Sequence, residues 1–195
     1  VLGEASVCLG VDTTVEQLIV ANGDVYIGLG GMTLTSLQEV LVAPYGGKIA
    51  NLSVSGGFFG ARNNHVEGTL VFDTLNVGGN GIGTFSIDEN VNVIANEILM
   101  QFGTSIEGSP TIQSDMNNFG GKLRPGTSNF FDPLDLGMPG AIGIDGDYSQ
   151  TGSPDADLLP RYGSMEFDID PSNQGIPHDS LSVAGHATLG GVLEL

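Results

Sequence analysis

The chain has 195 residues, with 31 glycines and 23 acidic against 5 basic residues, for a formal net charge of −18. A surface this negative repels phosphate, which excludes nucleic acid as a partner and disfavours anionic membranes. A hydrophobic fraction of 40% excludes a disordered acidic tail.

One cysteine, Cys8, rules out an internal disulfide or a zinc site built on several thiolates, and it reads as a small buried hydrophobe. No run of about 18 apolar residues offers a transmembrane helix. No charged segment ahead of an apolar stretch marks a signal peptide within these residues.

In chain order, Thr13-Thr14-Val15-Glu16 offers a capping-box pattern before Gln17-Leu18-Ile19-Val20, and the β-branched content favours a strand with a short helix. Asp24-Val25-Tyr26-Ile27 reads as a strand, as does Ser36–Leu41. Ile49–Val54 and Thr69–Phe72 follow in the same style. The most regular part is 75–77, 84–87, 91–94 and 98–102, where apolar residues alternate with Asn, Ser, Glu or Gln. Inward Asn and Ser are expected to ladder there between neighbouring strands.

Residues 103–140, with Pro110, Pro125, Pro133 and Pro139, read as a loop-rich excursion. Strands resume at 141–144, 163–170 and 181–195. Glycine doublets such as Gly30-Gly31, Gly78-Gly79 and Gly120-Gly121 punctuate the chain. Turns recur about every ten residues, the spacing of an all-β sandwich, barrel or solenoid. The whole of 1–195 is expected to form a single domain.

Residues Thr74-Leu75-Asn76-Val77-Gly78-Gly79-Asn80-Gly81-Ile82-Gly83-Thr84-Phe85-Ser86-Ile87 resemble the L-x-V-G-x-x-G-x-G-x-L-x-I repeat of bacterial autotransporter passengers and PEP-CTERM-type secreted surface proteins. The closing module of that family is similar to four later segments: Gly121–Gly126, Ile142–Gln150, Gly163–Ile169 and His178–Leu193. The resemblance covers roughly 74–195. It implies a right-handed parallel β-helix (a β-solenoid), exported and displayed on the bacterial cell surface. Glu89-Asn90 stands where the family usually has Gly-Gly. Neither a translocator barrel nor a Pro-Glu-Pro tail lies in these residues. An uncapped β-helix end is an exposed pairing edge, so a structural role is expected, adhesive or self-assembling end to end into a fibre or surface layer.

Carboxylates form the main candidate cluster. In Met165–Asp170, alternation sends Glu166, Asp168 and Asp170 to one face; in Ile142–Tyr148 it sends Asp145 and Asp147 outward. Were these strands neighbours, five carboxylates would share one patch, and calcium is the cofactor such a patch would take. A solvated acidic face explains them more simply, because no EF-hand or G-G-x-G-x-D pattern orders the ligands.

Polysaccharide-cleaving β-helices place paired carboxylates on an outer wall, so carbohydrate binding or degradation is the alternative, with an extracellular glycan as partner. There is no tryptophan, and Lys48, Arg62, Lys122, Arg124 and Arg161 look scattered, so catalysis is not expected. His65, His178 and His186 lack metal spacing. Phe58-Phe59 and Phe130-Phe131 are candidates for contacts between subunits.

Overall fold

Apolar side chains at every second position need one buried face, and most of the described strands find it without a helix. The computed structural model describes residues 3–56, 66–79, 81–88, 90–126, 140–151, 163–167, 179–190 and 192–194. Within these, the chain forms nineteen strands and no helix. The first seven are β1 (Glu4–Cys8), β2 (Thr13–Val15), β3 (Leu18–Val20), β4 (Gly23–Gly28), β5 (Thr33–Ser36), β6 (Val40–Val42) and β7 (Ile49–Ser55). Then come β8 (Gly68–Val77), β9 (Ile82–Ile87), β10 (Val91–Met100), β11 (Thr104–Gly108), β12 (Thr111–Asn118) and β13 (Lys122–Pro125). The last six are β14 (Ala141–Ile144), β15 (Tyr148–Gln150), β16 (Ser164–Glu166), β17 (Ser180–Val183), β18 (Ala187–Leu189) and β19 (Val192–Glu194).

One sheet has eight strands in the order β1-β4-β7-β9-β11-β13-β16-β19, and the remaining strands form an eleven-stranded sheet. The pairing is parallel in both, as in β4 with β7 and β8 with β10. Parallel neighbours require a crossover, which in most proteins is a helix. Here the crossover of each sheet is a strand, or a strand pair, of the other: the chain visits the two sheets alternately.

Parallel register stacks like on like. Leu52, Phe85, Ile106, Leu123 and Met165 form one inward column of the eight-stranded sheet. Leu34, Leu70, Val93, Ile112 and Ile144 form another in the second sheet, and Val40, Leu75, Ile98, Met116 and Tyr148 a third. All are buried and belong to one core. Each such side chain contributes about 1.5–3 kcal/mol through its removal from water.

Several expectations change. The capping-box segment at 13–20 holds two short strands, β2 and β3, with no helix, since its β-branched residues complete parallel ladders with β5 and β6. The strand expected over 36–41 breaks at 37–39, between β5 and β6. Segments 91–94 and 98–102 are one strand, β10, whose register with β12 shifts between Ile94 and Glu97. That bulge moves inward positions from Val91 and Val93 to Ile98 and Met100, which reads in sequence as a break.

The excursion expected at 103–140 carries β11, β12 and β13, which lie fully within the sheets. Pro110 sits between β11 and β12 and Pro125 ends β13, so both stand at strand boundaries. Pro133 and Pro139 lie outside the described residues. Cys8 is exposed, because β1 is the edge strand of its sheet.

A small cavity of about 10 Å³ sits between the sheets, lined by Leu34, Leu52, Leu70 and Phe85 among others. Ser36 also lines it, and its buried hydroxyl finds no hydrogen-bond partner among the described residues. A buried hydroxyl without a partner costs about 1–3 kcal/mol. Ser36→Ala is therefore expected to raise the denaturant midpoint by up to about 1 kcal/mol of stability. Phe85→Ala, on the facing wall, is expected to lower stability by about 3–5 kcal/mol. Urea unfolding of both variants checks the pair, and a destabilised Ser36→Ala would show that the hydroxyl is satisfied.

Candidate functional site

Carboxylates on a parallel sheet face the next strand at the same position, so identical residues would place like charges opposite each other. Acids do stand opposite acids at Glu4 and Asp24, Glu97 and Asp115, and Glu166 and Glu194, and the outer faces offset this with three kinds of partner. Amides of the following strand donate to acids below them: Asn51 Nδ2 to Asp24 Oδ1 (2.6 Å), Asn96 Nδ2 to Asp73 Oδ1 (2.6 Å) and Asn117 Nδ2 to Glu97 Oε1 (2.9 Å). Gln38 Nε2 donates to Glu16 Oε1 at 3.1 Å across the bends of successive turns. These ladders lie on the outer face, not inward, because within 75–102 the inward positions are filled by apolar side chains.

Backbone amides serve other carboxylates. Asp115 Oδ1 accepts from Asp147 N at 2.9 Å, and Asp147 Oδ1 accepts from His186 N at 2.7 Å, so one bend is tied to the next. Glycine is required beside these acids. A Cβ on Gly146 would collide with the Ser114 carbonyl, and one on Gly185 with the Asp147 carboxylate.

Cations serve the third kind. Glu166 on β16 accepts from Lys122 Nζ at 2.6 Å and lies 3.1 Å from an Arg124 guanidinium nitrogen. Lys122 and Arg124 alternate along β13 with Leu123 turned inward between them. Their apparent scatter in sequence resolves into one outward pair. The bond from Lys122 is the main cause holding the Glu166 carboxyl below its usual range; burial opposes it, and Arg124 assists.

The five carboxylates expected to share a patch are therefore divided. Asp145 and Asp147 occupy the bend between β14 and β15, exposed, with Ile142, Ile144 and Tyr148 buried as the alternation required. Glu166 belongs to the other sheet, and its carboxylate is taken up by two cations. Asp168 and Asp170 lie outside the described residues. Among the described residues, no three His, Cys, Asp or Glu side chains converge to hold a metal ion. His186 sits in the bend between β17 and β18. His65, His178, Arg62, Arg161, Phe58-Phe59 and Phe130-Phe131 lie outside the described residues.

A buried polar network lies beyond 75–102, the stretch where inward Asn and Ser ladders are expected. Asn118 and Gln150 stack inward in the column below Val42, Val77 and Met100. Asn118 Nδ2 donates to the Tyr148 hydroxyl (3.3 Å), which donates to Gln150 Oε1 at 2.7 Å. Gln150 Nε2 then donates to the carbonyls of Gly163 and Gly190, at 2.9 and 2.6 Å, on two later passes of the chain. Burial pushes the Tyr148 hydroxyl up to about 12, with the Asn118 bond acting against it. The signal in sequence is Tyr148-Ser149-Gln150, where alternation must turn Gln150 inward with Tyr148.

Comparison with protein-family models, with curated proteins and with solved structures finds no match.

Two titrations follow. Because the Glu166 carboxyl is lowered on folding, its contribution is present above about pH 4.5 and is lost as pH falls through the folded value. Glu166→Gln is expected to flatten the acid limb of stability against pH, read by thermal unfolding between pH 3 and 6. Because the Tyr148 hydroxyl is raised from 10.0 to about 12, its contribution is full below pH 10 and lost as pH rises toward 12. Tyr148→Phe is expected to remove that alkaline limb and to cost about 1–3 kcal/mol at neutral pH, by leaving Gln150 Oε1 unpaired. An unchanged alkaline limb in this variant would assign it to other groups.

Proposed function

We propose that the chain is a right-handed parallel β-helix, exported to the bacterial cell surface or beyond, that acts as a structural, self-assembling subunit and not as a catalyst. One observation carries the reading: each strand pairs in parallel with the strand one pass later while the chain alternates between two sheets. Successive passes that alternate in this way describe a coil, and parallel crossovers are right-handed in nearly all proteins. On the outer faces Asp24, Asp73 and Glu97 have amide neighbours and Glu166 has two cations, which suits a stacked wall. Export rests on the resemblance of 74–195 to secreted surface repeats.

The edges of the stack support self-association. Val7 on β1 is 47% exposed, although Ile27, Val54 and Ile87 in its column are buried. Leu189 on β18 is 62% exposed at the end of the column that holds Val42, Val77 and Gln150. On β1 and β18, apolar side chains thus lie beside an edge that no further strand covers among the described residues.

The stack has a built-in stagger. The eight-stranded sheet is visited eight times and the other sheet seven times between β1 and β19. If a second copy continues the larger sheet from β17 and β18 to its own β2 and β3, its β1 competes with β19 for one position. β1 is also weakly held, since all five of its residues are exposed and Glu4 lies opposite Asp24.

Electron microscopy and solution scattering test the proposal. The 195-residue chain is expected to elongate along one axis as salt screens its charge, and near its isoelectric point of about 4.1. Deletion of residues 1–10, which removes the competing strand, is expected to strengthen association by about tenfold or more. A monomer at all concentrations and salt levels, with and without the deletion, overturns the self-assembling role.

A further inference from the structure

Three successive turns lead from the eleven-stranded sheet into the other, and they carry exposed apolar side chains in line. Tyr45 lies in the turn between β6 and β7, Ile49 and Ile82 start β7 and β9, and Phe102 lies between β10 and β11; all four are exposed. The turns touch. Ile49 and Ile82 are register partners, and Ile82 N donates to the Lys48 carbonyl at 3.0 Å. A Cβ on Gly103 would stand 3.8 Å from Ile82 Cγ1, so Ile82 borders the turn that holds Phe102. A Cβ on Gly81 would press on the carbonyls of Ala43, Tyr45 and Lys48, so glycine is what allows the first two turns to close together.

The charge of this strip is the reverse of the rest. Residues 43–49, 78–82 and 101–104 contain no Asp or Glu, in a chain that has 23, and their single ionisable cation is Lys48. Contiguous exposed apolar surface marks an interaction site. The net charge bears on the partner: a polyanion meets repulsion from the whole molecule, whereas an uncharged partner does not.

Sugar rings present apolar C–H faces and hydroxyl edges, which suit exposed aromatic rings beside the polar groups of Gln101 and Lys48. With strands about 4.8 Å apart, the turns of Tyr45 and Phe102 lie two steps, or about 10 Å, apart along the stack. A linear chain running along the strip touches both. We propose that this strip binds an uncharged polysaccharide, independently of whether copies of the chain assemble.

The test is retention of the 195-residue chain on insoluble cellulose, chitin and xylan. Retention on at least one is expected, and it should persist in roughly 0.5 M salt, where charge contacts are screened. Tyr45→Ala combined with Phe102→Ala is expected to lower retention about tenfold or more with an unchanged unfolding midpoint. The idea is overturned by no retention on any of the three probes, by retention that salt abolishes, or by a double variant that folds and binds as before. It is equally overturned if Ile49→Ser with Ile82→Ser dissolves a copy-to-copy complex in scattering while the parent chain ignores all three polysaccharides.

Discussion

Parallel pairing without helices, among the described residues, is the constraint on which the fold depends. A parallel neighbour can be reached only by crossing over, and in this chain each crossover is itself a strand that needs a parallel neighbour. The two sheets therefore impose register on each other. A slip of one residue in any strand would turn its apolar set outward and disturb the pass above and the pass below. The columns Leu52–Phe85–Ile106–Leu123 and Val40–Leu75–Ile98–Met116 are the result, with similar side chains meeting similar ones.

The same rule that favours apolar columns penalises acidic ones, and this explains the polar composition. Stacking Leu on Ile buries both, whereas stacking Asp on Asp repels. The outer face answers with acid then amide at Asp24 and Asn51 and at Asp73 and Asn96, while Glu97, whose register partner is Asp115, accepts from Asn117 two positions along β12. Near the later passes, the carboxylates of Asp115 and Asp147 accept from backbone amides, and Glu166 uses Lys122 and Arg124. A chain with 23 acids and 5 bases keeps its stack because most of that compensation comes from neutral donors.

Much of the fold could be read from local alternation, and the losses have identifiable causes. Thr84–Ile87 and Ala141–Ile144 were legible because apolar and small residues alternate without interruption. β10 read as two strands because its bulge shifts the phase in mid-strand, and a period-of-two test cannot cross that shift. β11 to β13 were hidden by prolines that stand at strand boundaries, where the missing N–H costs no ladder bond. At the candidate site, the outward direction of Asp145 and Asp147 was legible, but which sheet a strand joins was not. Glu166 looked like part of their patch because sequence gives the face of a strand and not the sheet that holds it.

Lys122 and Arg124 illustrate the same limit from the other side. Forty-two residues of sequence separate Lys122 from Ser164, its register partner, so nothing local announces that Glu166 will sit beside both cations. The sequence distance between neighbouring passes is not constant: Thr84 meets Ser105, and Ser105 meets Lys122, at much shorter separations. Extra length is taken up between strands, and the register resumes after it. Conservation of register, not of repeat length, is what keeps the inward columns continuous. The turns between the sheets can therefore vary in length without disturbing the core, while positions such as Gly81 and Gly146 keep glycine. The acid-free strip holds Tyr45 and Phe102 in these turns and Ile82 at the start of β9, and its exposed side chains answer to solvent and partners.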